Sequence, residues 1–195
     1  MKLAAKNNNG GLSLLSNDPG YTNFGWSNLI VKRGKVQIVE CGMLTGMPTD
    51  LKVELTDQKQ AFKNAWTKLV KRCAPDVITA ERYLSQRQGL SNELVNYMIG
   101  AMWYTSNVPF HVYNAATWKA RIKKILGGEK DAIEQFYKRV GSEAKGGAPD
   151  HVVDATLNGL YYLERDHAIN IMVKLKNLDK LAEEIRQAYY GTFPK

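Results

Sequence analysis

The sequence predicts an α/β domain with a mixed five-stranded sheet flanked by helices. Three observations predict it. Residues 12–44 hold three apolar runs joined by short connections, which fits an antiparallel meander. Beyond them, helical spacings alternate with short apolar runs, as parallel crossovers require. Two of the runs, Leu12–Asp18 and Val77–Glu81, end in an acid. In sheets of this class ligands gather at the strand ends.

The elements follow in order. Residues 1–11 are polar and end in glycine, and are expected to form a flexible arm. The first strand spans Leu12 to Asp18, and Pro19-Gly20 turns the chain at once. Pro19 biases Asp18 toward extended geometry, and Gly20 and Gly25 permit backbone that other residues resist. Gly25–Val31 is the second strand, Lys32-Arg33-Gly34-Lys35 a tight turn, and Val36–Leu44 the third strand. A loop over 46–56 leads to a helix capped by Thr56 or Asp57. Phe62, Trp66, Leu69 and Val70 give its apolar spacing, and Pro75 ends it.

Val77–Glu81 is a fourth strand, parallel to an earlier one because a helix precedes it. Ser91 caps a helix over Asn92–Thr105, with Leu94, Met98, Ala101 and Met102 as its core stripe. Phe110–Tyr113 is the fifth strand. Helices follow over Thr117–Ile125 and Glu129–Val140, separated by Gly127-Gly128. Gly141–Gly147 reads as a flexible link. A helix then runs from Asp150 to about Arg165, with Val153, Leu157, Leu160 and Leu163 on its apolar face. Residues 166–195 read as a helical extension whose last helix, Leu178–Tyr189, packs outside or across a partner.

Composition bounds the function. The 195 residues suit one domain with a real core. Lys and Arg number 27 against 19 Asp and Glu, a formal charge of +8 that favours a polyanionic partner such as nucleic acid. Cys41 and Cys73 show no metal spacing and read as buried thiols. No apolar run approaches membrane-spanning length and no secretory signal is visible, so a cytoplasmic setting is expected.

The acids carry the chemistry. The first and fourth strands can lie side by side, which brings Asp18 and Glu81 together, and the helix over 150–165 can add Asp154. Carboxylates facing one another repel and need cations. Hard oxygen donors select Mg²⁺ or Mn²⁺. Two such ions about 4 Å apart activate a water and stabilise a leaving oxygen in phosphodiester cleavage.

Four ordered segments give this pattern a family. They are Asp18-Pro19-Gly20 with Gly25-Trp26, Glu81 at the end of an apolar strand, Lys119 and Lys130 flanking the Gly127-Gly128 break, and His151-Val152-Val153-Asp154-Ala155. Together they make residues 12–165 resemble the RuvC-type Holliday-junction resolvases, within the ribonuclease H-like nuclease superfamily. The resemblance implies a ribonuclease H-like nuclease domain over 12–165. It also implies that Asp18, Glu81, Asp154 and His151 bind metal, two Mg²⁺ ions per site with Mn²⁺ able to substitute. Asp150 is the second choice for the fourth position. Lys119 and Lys130 would hold or polarise phosphates, and Tyr83 would stack on an unpaired base. Arg82, Arg87, Arg121 and Lys123 lie near enough in sequence to join the DNA surface. Asn17 departs from the apolar residue usual before the first acid, and the longer loop and tail suggest a divergent, phage-like branch.

The expected activity is a homodimeric endodeoxyribonuclease that makes paired cuts in four-way or branched DNA. Water is the nucleophile, and neither a membrane nor a small-molecule substrate is involved. The helix Asn92–Thr105 is a candidate dimer face. The alternatives are a ribonuclease H or flap nuclease with the same acids, a non-catalytic junction binder, and an actin-like ATPase. For the last, 195 residues lack the duplicated domain such a cleft needs.

Overall fold

The computed structural model describes residues 11–20, 23–45, 54–82, 90–128, 131–141 and 150–190, with backbone alone at 90–92 and 190. Its sheet has five strands: β1 Leu12–Asp18, β2 Gly25–Lys32, β3 Lys35–Met43, β4 Val77–Arg82 and β5 Phe110–Asn114. Their order is β3-β2-β1-β4-β5. β1, β2 and β3 pair antiparallel, whereas β1–β4 and β4–β5 are parallel. The mixed sheet read from the sequence is therefore present. The β2–β3 turn has Arg33 and Gly34 both at positive φ, 51° and 73°, the two-residue geometry that matches the strand twist.

Successive side chains of a strand point to opposite faces, and this splits the core in two. Leu15, Ile78 and Ala80 meet α1 (Leu55–Cys73) and α2 (Leu90–Thr105) on one face. There Phe24, Phe62 and Trp66 pack with ring centroids 5.9–6.4 Å apart. The buried Met98 and Met102 are packing residues in this cluster, as their spacing implied. α1 ends where Ala74 adopts a left-handed φ of 42° and its N–H returns to the Val70 carbonyl.

The opposite face carries Leu14, Leu29 and Val77 against α5 (Asp150–His167). α5 lies over β1 and β2, with α3 (Ala115–Ile125) and α4 (Ala132–Val140) packed on it. Every residue from Val152 to Leu163 is buried, so α5 is enclosed on all sides and not only along one apolar stripe. Its close seat needs Gly159, where an added Cβ would lie 2.4 Å from Leu29 Cδ1 and 2.8 Å from Ser16 Cβ. α6 (Met172–Leu175), unexpected from the sequence, joins α5 to α7 (Leu178–Tyr190). α7 packs on β3 and α4, not on the outside. Leu181, Ala182, Ile185 and Ala188 belong to the same core as Leu29.

Several boundaries differ from expectation. Thr56 and Asp57 lie inside α1, whose cap residue is Glu54. α2 already includes Ser91. α4 begins at Ala132, later than Glu129, and is closed by Gly141 at φ 82°. The arm at 1–10 and the link at 142–149 fall outside the described residues. Cys41 and Cys73 are buried free thiols, and burial first, then Glu40, pushes each up to about 12. Among the described residues, no helix is long and apolar enough to cross a membrane.

Candidate active site

Asp18 is the last residue of β1 and is 8% exposed. β4 runs parallel beside β1 with Asn17 opposite Ala80, which sets Glu81 next to Asp18 at the same end of the sheet. Asn17 fastens these two strand ends. Its side-chain amide donates to the Thr79 carbonyl at 2.9 Å and to the Leu15 carbonyl at 3.2 Å. That bridging of β1 and β4 gives this polar residue a use in a buried position.

Gly25 sits opposite Asp18 in the β1–β2 ladder, and its role is steric. Neither Gly20 nor Gly25 has a positive φ, contrary to the expectation of special backbone geometry. A Cβ at Gly25 would instead stand 2.2 Å from the His151 carbonyl oxygen. The first turn of α5 therefore rests directly on β2. That contact brings His151 Nδ1 to 2.6 Å from Asp18 Oδ2. Asp154, one turn further along the same helix, faces the same side.

Asp154 is held from two sides. Lys119 Nζ lies 2.6 Å from its Oδ2, and the Tyr137 hydroxyl donates to its Oδ1. Glu81 receives a hydrogen bond from Trp118 Nε1 at 2.9 Å. The Lys119 ammonium also lies 5.0 Å from the centroid of the Trp118 ring. α3 thus contributes adjacent residues that touch two different acids.

The electrostatics follow from crowding. Burial, then the charges of Asp18 and Asp154, push Glu81 up to about 7, against the pull of Lys119 and Trp118. Burial likewise raises Asp154 above the usual carboxylate range, although Lys119 and Tyr137 favour its charged form. Burial works against the charge on Lys119, but Asp154, Glu81 and Asp18 together raise its affinity for the proton. For this pair the 2.6 Å contact and the retained charge of Lys119 describe an ion pair. The hydrogen bond that His151 donates to the Asp18 carboxylate raises its affinity for the proton, against its own burial.

The four residues expected to hold metal, Asp18, Glu81, Asp154 and His151, are thus brought together with Lys119. Asp150 is exposed at the start of α5 and adds only a more distant charge to His151. Arg82 directly follows Glu81 and is exposed. Arg121 is engaged by both carboxylate oxygens of Glu164, and Lys123 is half-buried on α3. Tyr83, Arg87 and Lys130 fall outside the described residues. Sequence reasoning missed Trp118 and Tyr137. Trp118 adjoins a residue already singled out. Tyr137 carries no signal on an ordinary amphipathic helix.

The chemistry of the donor set suits a hard divalent ion: three carboxylates whose mutual repulsion a cation relieves, beside one imidazole. Among the described residues, no group of three or more His, Cys, Asp or Glu side chains is placed so that it could hold a metal ion as it stands. Lys119 and His151 engage two of the acids directly.

No family model matches this sequence, and no curated protein matches it. Solved structures do. RuvC of Thermus thermophilus, in complex with a Holliday junction substrate, superposes with a TM-score of 0.60 at 16% identity, over 80% of this chain and 96% of that one. The yeast mitochondrial Holliday junction resolvase Ydc2 gives a TM-score of 0.54 at 17% identity, over 88% of this chain and 83% of that one. With the sheet order and the α5 placement described above, these likenesses show that the chain has the ribonuclease H-like fold, with RuvC-type resolvases as its structural neighbours.

Proposed function

We propose that this chain is a divalent-metal-dependent endodeoxyribonuclease selective for four-way or branched DNA. The observation that carries this reading is the meeting of Asp18, Glu81 and Asp154 at one end of the sheet, with Lys119 and His151 among them. The fold likeness to a RuvC seen on a Holliday junction supports the choice of substrate. The formal charge of +8 supports a polyanion.

Asp18, Glu81 and Asp154, with His151, would hold Mg²⁺, or Mn²⁺ in its place. Bound there, the metal supplies an activated water and charge stabilisation for phosphodiester hydrolysis. The protein's own residues do the rest. Trp118 fixes Glu81 by its indole N–H, so this carboxylate does not have to be ordered when substrate arrives. Tyr137 does the same for Asp154. Lys119 carries a positive charge into the acid cluster, where a non-bridging phosphate oxygen would take over part of the role Asp154 plays in its absence. His151 has Nδ1 engaged with Asp18, which leaves Nε2 either to bind the metal or, where the three carboxylates alone hold it, to exchange a proton with the reacting oxygens.

A homodimer would pair two such sites across a two-fold junction. The exposed Trp103 and Tyr104 near the end of α2, 68% and 88% accessible, support that helix as the dimer face. The test is a substrate panel with Mg²⁺: a synthetic four-way junction, a flap, a linear duplex of the same sequence, and an RNA–DNA hybrid. Paired symmetric nicks in the junction are expected. Cutting confined to the hybrid would move the chain to the ribonuclease H activity. Junction binding without cutting would leave a structure-specific binder.

A further inference from the structure

Beyond the acid cluster, at the β5 edge of the sheet, lies a cleft of about 440 Å³. Arg82, Asn96, Asn114, Thr117, Tyr113 and Arg165 line it. It is close to the candidate site by construction. Arg82 follows Glu81 on β4, and the β4–β5 ladder sets Glu81 opposite Tyr113 and Arg82 opposite Asn114. β5 then runs straight into α3, which carries Trp118 and Lys119 back to the acids.

The charges in this cleft are unusual for this molecule. Arg72, Arg121, Arg139 and Arg186 each form an ion pair with a glutamate or aspartate. Arg82 and Arg165 form no ion pair among the described residues, and both line the same cleft. Arg33, in the β2–β3 turn, is the other described arginine without such a pair, and it lies between Lys32 and Lys35 on a hairpin tip. Arg165 is also positioned. Its guanidinium carbon lies 5.2 Å from the centroid of the Tyr113 ring, and the Tyr113 hydroxyl is tied to Asp166 at 2.7 Å. Tyr161 accepts a hydrogen bond from the guanidinium and Asp166 adds a nearby negative charge, while the remaining planar donors lie at the edge of the ring. The guanidinium groups of Arg82 and Arg165, beside the neutral donors of Asn96, Asn114 and Thr117, match the oxygens of a phosphodiester.

We infer that this cleft is a second phosphate-backbone site, which holds the nucleic-acid strand where it leaves the acid cluster over the β5 edge. The inference deepens the nuclease reading and rests on it for the identity of the polyanion. The cleft suits a backbone rather than a free nucleotide. The ring of Tyr113 is buried and covered by Arg165, so it offers a base no face to stack on.

Counterion release gives the test. Each phosphate contact contributes about 0.9 to the slope of log affinity against log salt, or roughly eightfold in affinity at 0.1 M salt. Arg82→Gln, Arg165→Gln and the double variant are titrated onto a four-way junction by fluorescence anisotropy. Ca²⁺ replaces Mg²⁺ so that the DNA is bound and not cut. Lys180→Gln on α7 is the charge control, and thermal melts check each fold. Both arginines are exposed, and Arg82 has no ring contact among the described residues, so Arg82→Gln reads the cleft independently of any packing change at Arg165. The expected result is a slope lower by about 0.9 in each single variant and by about 1.8 in the double, with Lys180→Gln like wild type. Slopes equal to wild type in the arginine variants would overturn the inference, as would a mononucleotide whose binding depends on Arg165. Failure of the nuclease reading looks different: wild type would not cut with Mg²⁺, while the slope changes would remain.

Discussion

Glu81 is the acid whose surroundings cost it most, and Glu81→Gln is the variant that exposes this. A carboxyl raised from 4.5 to about 7 holds its proton more tightly in the folded chain than in the unfolded one. Its contribution to stability is therefore complete below about pH 4.5 and is lost as pH rises through about 7. The shift corresponds to an upper figure of roughly 3 kcal/mol. Glutamine keeps an oxygen for the Trp118 N–H and carries no charge at any pH. The metal-free variant is thus expected to be more stable than wild type at pH 8, by up to that amount. For a chain of this length that is roughly 2–4 °C in melting temperature per kcal/mol. At pH 5 the two proteins should melt nearly together. Adding Mg²⁺ at pH 8 should stabilise wild type and leave the variant almost unchanged, while cleavage is lost. The assay is urea or thermal unfolding in EDTA across pH 5–8, repeated with Mg²⁺. A variant no more stable than wild type at pH 8 without metal would refute the claim that Glu81 is electrostatically strained. So would an advantage that is the same at pH 5.

Other expectations follow from single contacts. Gly25→Ala drives a methyl into the His151 backbone, so it should destabilise the fold by about 3 kcal/mol and impair cleavage by moving His151 away from Asp18, read by denaturant unfolding and junction cutting. Lys119→Gln removes the cation from the acid cluster and should lower the cleavage rate by roughly 10²-fold while junction affinity falls much less. Asn158 is fully buried on α5, and among the described residues neither of its side-chain polar atoms has a hydrogen-bond partner. Asn158→Leu should therefore raise the urea midpoint, by about 1–2 kcal/mol in stability.

The sequence made the sheet end legible because the physics there is local. Two short apolar runs stop at acids, and the spacing of His151 and Asp154 places both on one side of a helix. The meander was legible from its short connections, down to the Arg33-Gly34 turn. What stayed hidden depends on tertiary neighbours. α5 reads as one-sided because Thr156, Asn158 and Gly159 look like a polar face. Its packing against the sheet, α3 and α4 buries them regardless. Gly25 reads as a flexible residue, whereas its use is the close approach of α5. Tyr137 and Trp118 sit on helices that look ordinary until α3 and α4 are folded against the acids. Arg121 looked like part of a basic patch until α5 presented Glu164 to it.

The most direct test of the acid cluster as a nuclease centre is Asp18→Asn. Asp18 touches His151 at 2.6 Å and adds its charge to the environments of Glu81 and Lys119. Cleavage of a four-way junction would be measured with Mg²⁺, and junction affinity with Ca²⁺, for wild type and variant. Metal-dependent hydrolysis at this cluster predicts a loss of cleavage of at least roughly 10²-fold with junction affinity retained. Cleavage at the wild-type rate in Asp18→Asn would contradict it.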